Sequence, residues 1–232
     1  MFQTDPYSLI VLFVGLSLLP FVAMIATSYL KIVVVMSLIR NALGIQSIPP
    51  NMVVNALAMI LTFFIMAPVA GESWDIARRE LADPAASAAA ARAAGEAPAD
   101  GFFFDTDALG KAAEPFRGFL SAHTSARERV FFVNTAETLW ARDGEPAVVD
   151  PESFWILLPA FCVSELTKAF QIGFLVYLPF IAIDIIVSNI LLAMGMMMVS
   201  PVTISLPFKL LLFVMVDGWT LLIQGLVRGY LL

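Results

Sequence analysis

Residues 175–217 read LVYLPFIAIDIIVSNILLAMGMMMVSPVTISLPFKLLLFVMVD, and this stretch decides the fold. Two apolar runs flank a short segment that contains Gly195 and Pro201. Glycine commonly ends a helix because it adopts the left-handed conformation without strain, and proline cannot continue one. The stretch therefore predicts two apolar helices joined by a break at Gly195 and Pro201, which together form a helical hairpin.

Each arm of the predicted hairpin carries one charged residue in its apolar run. Asp184 lies on the first arm and Lys209 on the second, and the break is midway between them in the sequence. On antiparallel arms the two charges fall at the same height, which predicts an ion pair that braces the hairpin. The alternative is that each charge separately meets a neighbouring subunit or water, since charges inside apolar segments need one or the other.

The break is rich in methionine. Four of the eleven methionines of the protein, Met194, Met196, Met197 and Met198, fall within the break or directly before it. Methionine is unbranched and flexible, so it fills irregular gaps and adapts to different partners. Composition alone favours ordinary gap filling in a core. A deformable apolar seal on a hairpin tip, repeated around a ring of subunits, is the second hypothesis.

The composition places the protein in a membrane-associated class. Apolar residues make up 60% of the 232 residues and the mean hydropathy is +0.88, against roughly 45–50% apolar residues in soluble domains. Residues 72–150 contain 14 acids and 8 bases, whereas five acids and five bases cover the rest of the chain. This distribution indicates a water-exposed insert between two apolar regions. No basic patch is present, so a nucleic-acid partner is not expected.

The N-terminal apolar region, residues 1–71, is predicted to form a helical hairpin. A first run at 7–30 is long enough to cross a bilayer, with an expected kink at Pro20. Continuation of this helix through 32–39 is an open alternative. A second uncharged run covers 52–69. The first run lacks a basic leader and an obvious cleavage site, so a retained helix is expected rather than a signal peptide.

The placement of bases predicts the topology. Lys31 and Arg40 flank the short connector between the two runs, and no base lies near their outer ends. The positive-inside rule then places the connector in the cytoplasm and the 72–150 insert in the periplasm. Within the insert, the Ala-rich part at 82–100 is predicted to be a flexible linker, and residues 102–140 to form short amphipathic helices.

The C-terminal apolar region, residues 151–232, is predicted to contain three helical pieces, at 154–174, 175–194 and 206–226. Glu165 and Lys168 are three residues apart in the first piece, so they share one helix face and can pair locally. That pair is equally well explained as purely structural. The predicted fold class is thus an all-α membrane protein with kinked apolar helices, helical hairpins and a small helical insert.

The sequence contains no constellation that suggests an enzyme. No Ser/His/Asp set, phosphate-binding loop or HExxH motif is found. Cys162 is the only cysteine, so neither an intrachain disulfide nor a multi-cysteine metal site is possible, and a small buried residue is expected there. The single His123, in a polar stretch, is expected to be a solvated surface residue. No cofactor and no metal are predicted.

Residues 159–173, PAFCVSELTKAFQIG, resemble the signature of the FliP/SctR family of type III secretion export proteins. Three further stretches are similar to the same family, in the same order along the chain. They are RNALGIQSIPPNMVVNALA at 40–58, HTSARERVFF at 123–132 and NILLAMGMMMVSPVTISLPFKLLLFVMVDGWTLL at 189–222. The start close to the first helix and the MVSPVTIS sequence look more like the injectisome branch, SctR, than flagellar FliP.

The resemblance implies a core subunit of an export gate in the bacterial inner membrane, at the centre of the secretion basal body. In such a gate several copies, commonly about five, assemble around an axis into a helical or ring-like multimer. They join the partner subunits SctS and SctT and other export-apparatus proteins, contact lipid, and pass secreted polypeptides. The resemblance further implies that Met196, Met197 and Met198 form a pore gasket and that Asp184 and Lys209 form an intramolecular pair.

A second hypothesis comes from a different functional class. A stand-alone secondary transporter or channel would also be apolar and multi-pass. Transporters of that kind commonly show inverted repeats with matched broken helices in two halves, and the sequence shows neither. The export-gate hypothesis is therefore preferred.

Overall fold

The computed structural model describes residues 6–45, 49–82, 106–141, 147–196 and 198–231. Within these ranges the chain forms α helices and no strands, which confirms the all-α prediction. The helices are α1 (Pro6–Ile25), α2 (Tyr29–Ala42), α3 (Asn51–Ala82), α4 (Thr106–His123), α5 (Ala126–Leu139), α6 (Phe154–Ala193), α7 (Pro201–Met215) and α8 (Gly218–Arg228).

The chain divides into two compact units, and α3 and α6 each contribute one part to each unit. The first unit consists of residues 1–27 and 66–162. In it, Phe119 and Leu120 of α4 are buried together with Phe161 of α6, and the rings of Phe119 and Phe161 lie 5.8 Å apart. Arg129 of α5 donates to the backbone carbonyl of Ser121 at 2.6 Å, which ties α5 to the end of α4.

The second unit consists of residues 28–65 and 163–232, and α2 lies at its centre. The side chains of Ile32, Val35, Met36 and Ile39 are buried. Their spacing places them on one helix face, which packs into a single core with residues of α3, α6, α7 and α8. The core residues from those helices are Val54, Ala58, Ala169, Phe180, Phe213, Leu222 and Leu226.

The C-terminal region differs from the predicted three pieces. Residues 154–174 and 175–194 form one continuous helix, α6, rather than two. The predicted division between residues 174 and 175 is therefore wrong. A Cβ atom at Gly173 would collide with the side chain of Leu38 on α2. The glycine therefore lets α2 and α6 pack closely, and α6 continues through it. The third piece begins earlier, at Pro201, and is interrupted at 216–217 between α7 and α8.

The N-terminal region also differs in detail. The first apolar run does not continue into 32–39 as one helix, because the chain leaves the helix at 26–28 before α2 begins. Pro20 lies inside α1, five residues before its end at Ile25. The second run is confirmed as helical, and α3 extends well past residue 69, to Ala82. Of the predicted linker at 82–100, residues 83–100 lie outside the described residues.

Two described helices are long and apolar enough to cross a membrane, Asn51–Arg79 and Phe154–Ala193. The number rises to four if the interrupted pairs α1 with α2 and α7 with α8 each count as one span. Large apolar side chains on both long helices are exposed, among them Phe63, Phe64, Phe170 and Phe174. Contiguous exposed apolar faces of this kind indicate contact with lipid or with other subunits, as the composition predicted.

Candidate functional site: the C-terminal hairpin and two buried charge clusters

The hairpin turn follows directly from its residue types. Gly195 has a φ of 72°, in the left-handed region. The N–H of Met196 donates to the carbonyl of Leu191 at 2.9 Å and that of Gly195 donates to Leu192 at 3.0 Å, which is the Schellman arrangement at a helix C-terminus. Pro201 then occupies the first turn of α7, where its missing N–H costs no hydrogen bond.

The methionines at the turn are exposed. Met194 and Met196 have large exposed fractions, and the Met198 side chain is fully exposed, at 101%. Met197 lies outside the described residues. Met194, Met196 and Met198 therefore present apolar side chains at the surface of the hairpin turn.

Asp184 and Lys209 lie together between the hairpin arms. Lys209 Nζ is 2.7 Å from Asp184 Oδ2, and the Ser205 hydroxyl donates to Asp184 Oδ1 at 2.6 Å. Lys209 Nζ also donates to the carbonyl of Ala42, the last residue of α2, at 3.3 Å. The ammonium is thus held by α6 and by the negative end of the α2 dipole. Neither Ser205 nor Ala42 was singled out from the sequence.

The hydrogen bond from Ser205 gives a first test of this cluster. Ser205 is fully buried and bonds a carboxylate, so we expect Ser205→Ala to lower the free energy of unfolding by about 1.5–3 kcal/mol. Thermal unfolding of the purified protein in detergent measures the change. Ser200→Ala is the matched control in the same hairpin, because Ser200 makes no side-chain capping hydrogen bond. Equal effects of the two changes would contradict the assignment.

Glu165 is the centre of a second buried cluster. Lys168 Nζ lies 3.0 Å from Glu165 Oε1, so the local pair along the helix is present. In addition, Lys31 Nζ of α2 lies 3.1 Å from Glu165 Oε2, and the side-chain exposed fractions are 3% for Lys31 and 0% for Glu165. The charge of Lys31, embedded in an apolar run, is therefore compensated by a residue far along the chain.

Tyr230 completes the Glu165 cluster from the C-terminal end of the chain. Its hydroxyl donates to the Glu165 carboxylate, and the ammonium of Lys31 lies over its ring, 3.5 Å from the centroid. Burial and the neighbouring carboxylate raise the pKa of the Tyr230 phenol, so the hydroxyl stays protonated and can donate. One signal for this contact is present in the sequence, because a base in an apolar run must find a polar partner.

The chemistry of both clusters is suited to holding helices together. Each carboxylate faces an ammonium and a hydroxyl, so its charge is compensated in place, an arrangement that suits bracing of helices better than proton transfer. Among the described residues no group of three or more His, Cys, Asp or Glu side chains could hold a metal ion. The clusters connect helices of the second unit.

Two sequence expectations in the first unit need correction. His123 is partly buried rather than solvated, because its Nδ1 lies 2.9 Å from the carbonyl of Phe119 and its ring packs against the Phe119 ring. Cys162 is half-buried rather than fully buried, with its Sγ 3.5 Å from the carbonyl of Ile25.

Comparison with known proteins places these features in a family. The profile of the FliP family matches residues 12–226, which include both hairpin arms and Glu165. The chain belongs to the FliP family. The resemblance indicated by the sequence motifs is therefore confirmed, and the matched range ends before Tyr230.

Relatives with similar sequences cover the chain almost completely. Yop proteins translocation protein R of Yersinia pestis is 49% identical over 226 residues, 97% of each chain. Hypersensitivity response secretion protein HrcR of Ralstonia nicotianae is 47% identical and covers 96% of each chain. Flagellar biosynthetic protein FliP of Bacillus subtilis is 39% identical, over 96% of this chain and 90% of its own. Within this family the chain is thus more similar to these two secretion proteins than to that flagellar protein.

Proposed function

We propose that the protein is a core subunit of the type III secretion export gate in the bacterial inner membrane, where it forms a protein-conducting channel with partner subunits. The observation that carries the proposal is similarity over 97% of the chain to a protein named for translocation of Yop proteins. The second relative is named a secretion protein. A channel subunit of this kind needs helices held firmly together, which is the role assigned above to the two buried charge clusters.

The exposed surface supports assembly in a membrane or with equally apolar subunits. The window of α6 that could cross a membrane is largely exposed in the isolated chain. Apolar faces of this extent are stable only when lipid or protein covers them. About five copies of the chain, together with SctS and SctT, would cover much of this surface, since rings of identical subunits repeat one contact. The 72–150 insert would then lie in the periplasm.

The hairpin turn is proposed as the constriction of this channel. Met196 and Met198 are exposed at the tip of the hairpin. We assign the gasket to Met196, Met197 and Met198. Their thioether side chains could meet around an axis to exclude ions, and they could deform when a polypeptide passes.

A methionine replacement tests the gasket. We expect the triple change Met196→Ala, Met197→Ala and Met198→Ala to raise ion leak through the assembled gate, because truncation removes the apolar side chains that close the path. Leak is measured as membrane conductance of reconstituted complexes. Met215→Ala is the control, since Met215 is exposed on α7 away from the tip. An unchanged conductance in the triple variant would exclude a gasket at these residues.

Deletion and purification test the function as a whole. A strain without the gene should lose type III secretion and regain it with the wild-type chain. The tagged protein should purify with SctS and SctT as one large complex. Recovery of a small oligomer of this chain alone, with secretion intact in the deletion strain, would support the transporter alternative instead.

A further inference from the structure

The outer face of α8 carries a row of polar residues. Asp217, Thr220, Gln224 and Arg228 are all exposed, and their spacing of three and four residues places them on one face of the helix. Leu222 and Leu226 lie on the opposite face and are buried in the core of the second unit. We call these four residues the polar stripe. It runs along a helix within an otherwise apolar C-terminal region.

The charges of the polar stripe differ from the other charges in the second unit. Glu165 is paired with Lys31 and Lys168, and Asp184 is paired with Lys209. Among the residues that the structure describes, no side chain forms an ion pair or hydrogen bond with the side chain of Asp217 or Arg228. The internal packing therefore leaves one acid and one base, at opposite ends of α8, directed to the surroundings.

The chain bends sharply at the start of α8. The axes of α7 and α8 differ by 59° across the break at 216–217. Asp217 has a φ of 50°, in the left-handed region that non-glycine residues rarely adopt, and its side chain does not cap α8. Backbone hydrogen bonds within the chain satisfy the N–H groups of Val216 and Asp217. The exposed group at the break is therefore the Asp217 carboxylate, which is unfavourable in lipid.

We propose that the polar stripe faces the aqueous passage through which the secreted polypeptide moves. The inference rests on the proposed function. Lipid is an unfavourable environment for this face, because a charge at the bilayer centre costs roughly 2.5–3.5 kcal/mol even on the lowest scales. The stripe combines one acid, one base, a hydroxyl and an amide, so it has no net charge. Such a surface suits passage of varied polypeptides, since it neither attracts nor repels one sign of charge strongly.

Cysteine labelling in assembled gates tests the proposal. Thr220→Cys and Gln224→Cys are introduced separately into a Cys162→Ala background, whose secretion is measured first. Intact gates are treated with a membrane-impermeant, thiol-reactive methanethiosulfonate. Leu222→Cys is the buried control on the same helix, and Val214→Cys is the control for the exposed apolar surface of α7. We expect labelling at 220 and 224 to be at least about tenfold faster than at either control, since a buried thiol reacts only through local opening.

A stalled substrate separates the passage from other aqueous surfaces. When a secreted polypeptide carrying a tightly folded domain is arrested in the gate, labelling at 220 and 224 should fall severalfold. Labelling that persists unchanged would show that the stripe faces bulk water, and absence of labelling at both positions would show that a partner subunit or lipid covers it. Either result overturns the inference. Secretion by the same variants reports separately on the proposed function, which would still stand if they secrete normally.

Discussion

Glu165→Ala is expected to prevent stable accumulation of the protein. The change would leave the ammonium of Lys31 buried at 3% exposure without its carboxylate. Removing one partner of a buried ion pair costs about 3–5 kcal/mol, a large part of the roughly 5–15 kcal/mol that stabilises a typical domain. The change also removes the carboxylate that accepts the hydrogen bond of the Tyr230 hydroxyl. Immunoblots of membranes and thermal unfolding in detergent measure the effect.

Removal of both charges distinguishes this mechanism from simple loss of packing. The double change Lys31→Met and Glu165→Met should recover most of the stability, because no uncompensated charge remains in the core. Glu114→Ala is the control, since its pair with Arg117 is exposed, at 59% for the glutamate, and such pairs contribute about 0–1 kcal/mol. A double variant as unstable as Glu165→Ala would indicate that the shape of the side chain matters more than its charge.

Asp184→Ala is expected to have the second large effect, and to be more harmful than Lys209→Met. The two side chains differ in burial, at 34% exposure for Asp184 and 5% for Lys209. Loss of the carboxylate leaves a buried ammonium with only the Ala42 carbonyl, at a cost of about 3–5 kcal/mol. Loss of the ammonium leaves a partly solvated carboxylate that keeps its hydrogen bond from Ser205, so about 1–2 kcal/mol is expected.

Secretion and unfolding measurements on the single and double variants test this asymmetry. The double change Asp184→Ala and Lys209→Met should be less harmful than Asp184→Ala alone. A charge-swapped double is less informative, because a carboxylate at position 209 would face the carbonyl oxygen of Ala42. If Asp184→Ala proves milder than Lys209→Met, the ammonium does not depend on this carboxylate.

Local sequence was enough to predict the hairpin. Gly195 and Pro201 determine the turn through backbone conformation alone, and the structure shows the hydrogen bonds that a glycine at this position permits. The proximity of Asp184 and Lys209 followed from their equal distance from the turn. Contacts of this kind depend on residue type and spacing along one element, so they can be inferred before the fold is known.

Local sequence was misleading about the length of α6. The predicted boundary between residues 174 and 175 lies inside this helix, next to Gly173, where Leu38 of α2 leaves no room for a Cβ atom. The converse occurs at 216–217, where no glycine or proline precedes the break and Asp217 adopts the left-handed conformation. At Gly173 the packing of α2 against α6, and not local propensity, explains why the helix continues.

The sequence by itself determined an all-helical, apolar chain, its family, its hairpin turn and the charges that need partners. Only the tertiary structure decided which partners those are. Lys31 meets Glu165 and Tyr230, and Lys209 meets the end of α2, across separations of more than a hundred residues. The physical reason is that a buried charge requires compensation, but any opposite charge or dipole can supply it. The packing of the helices determines which of these partners lies next to each charge.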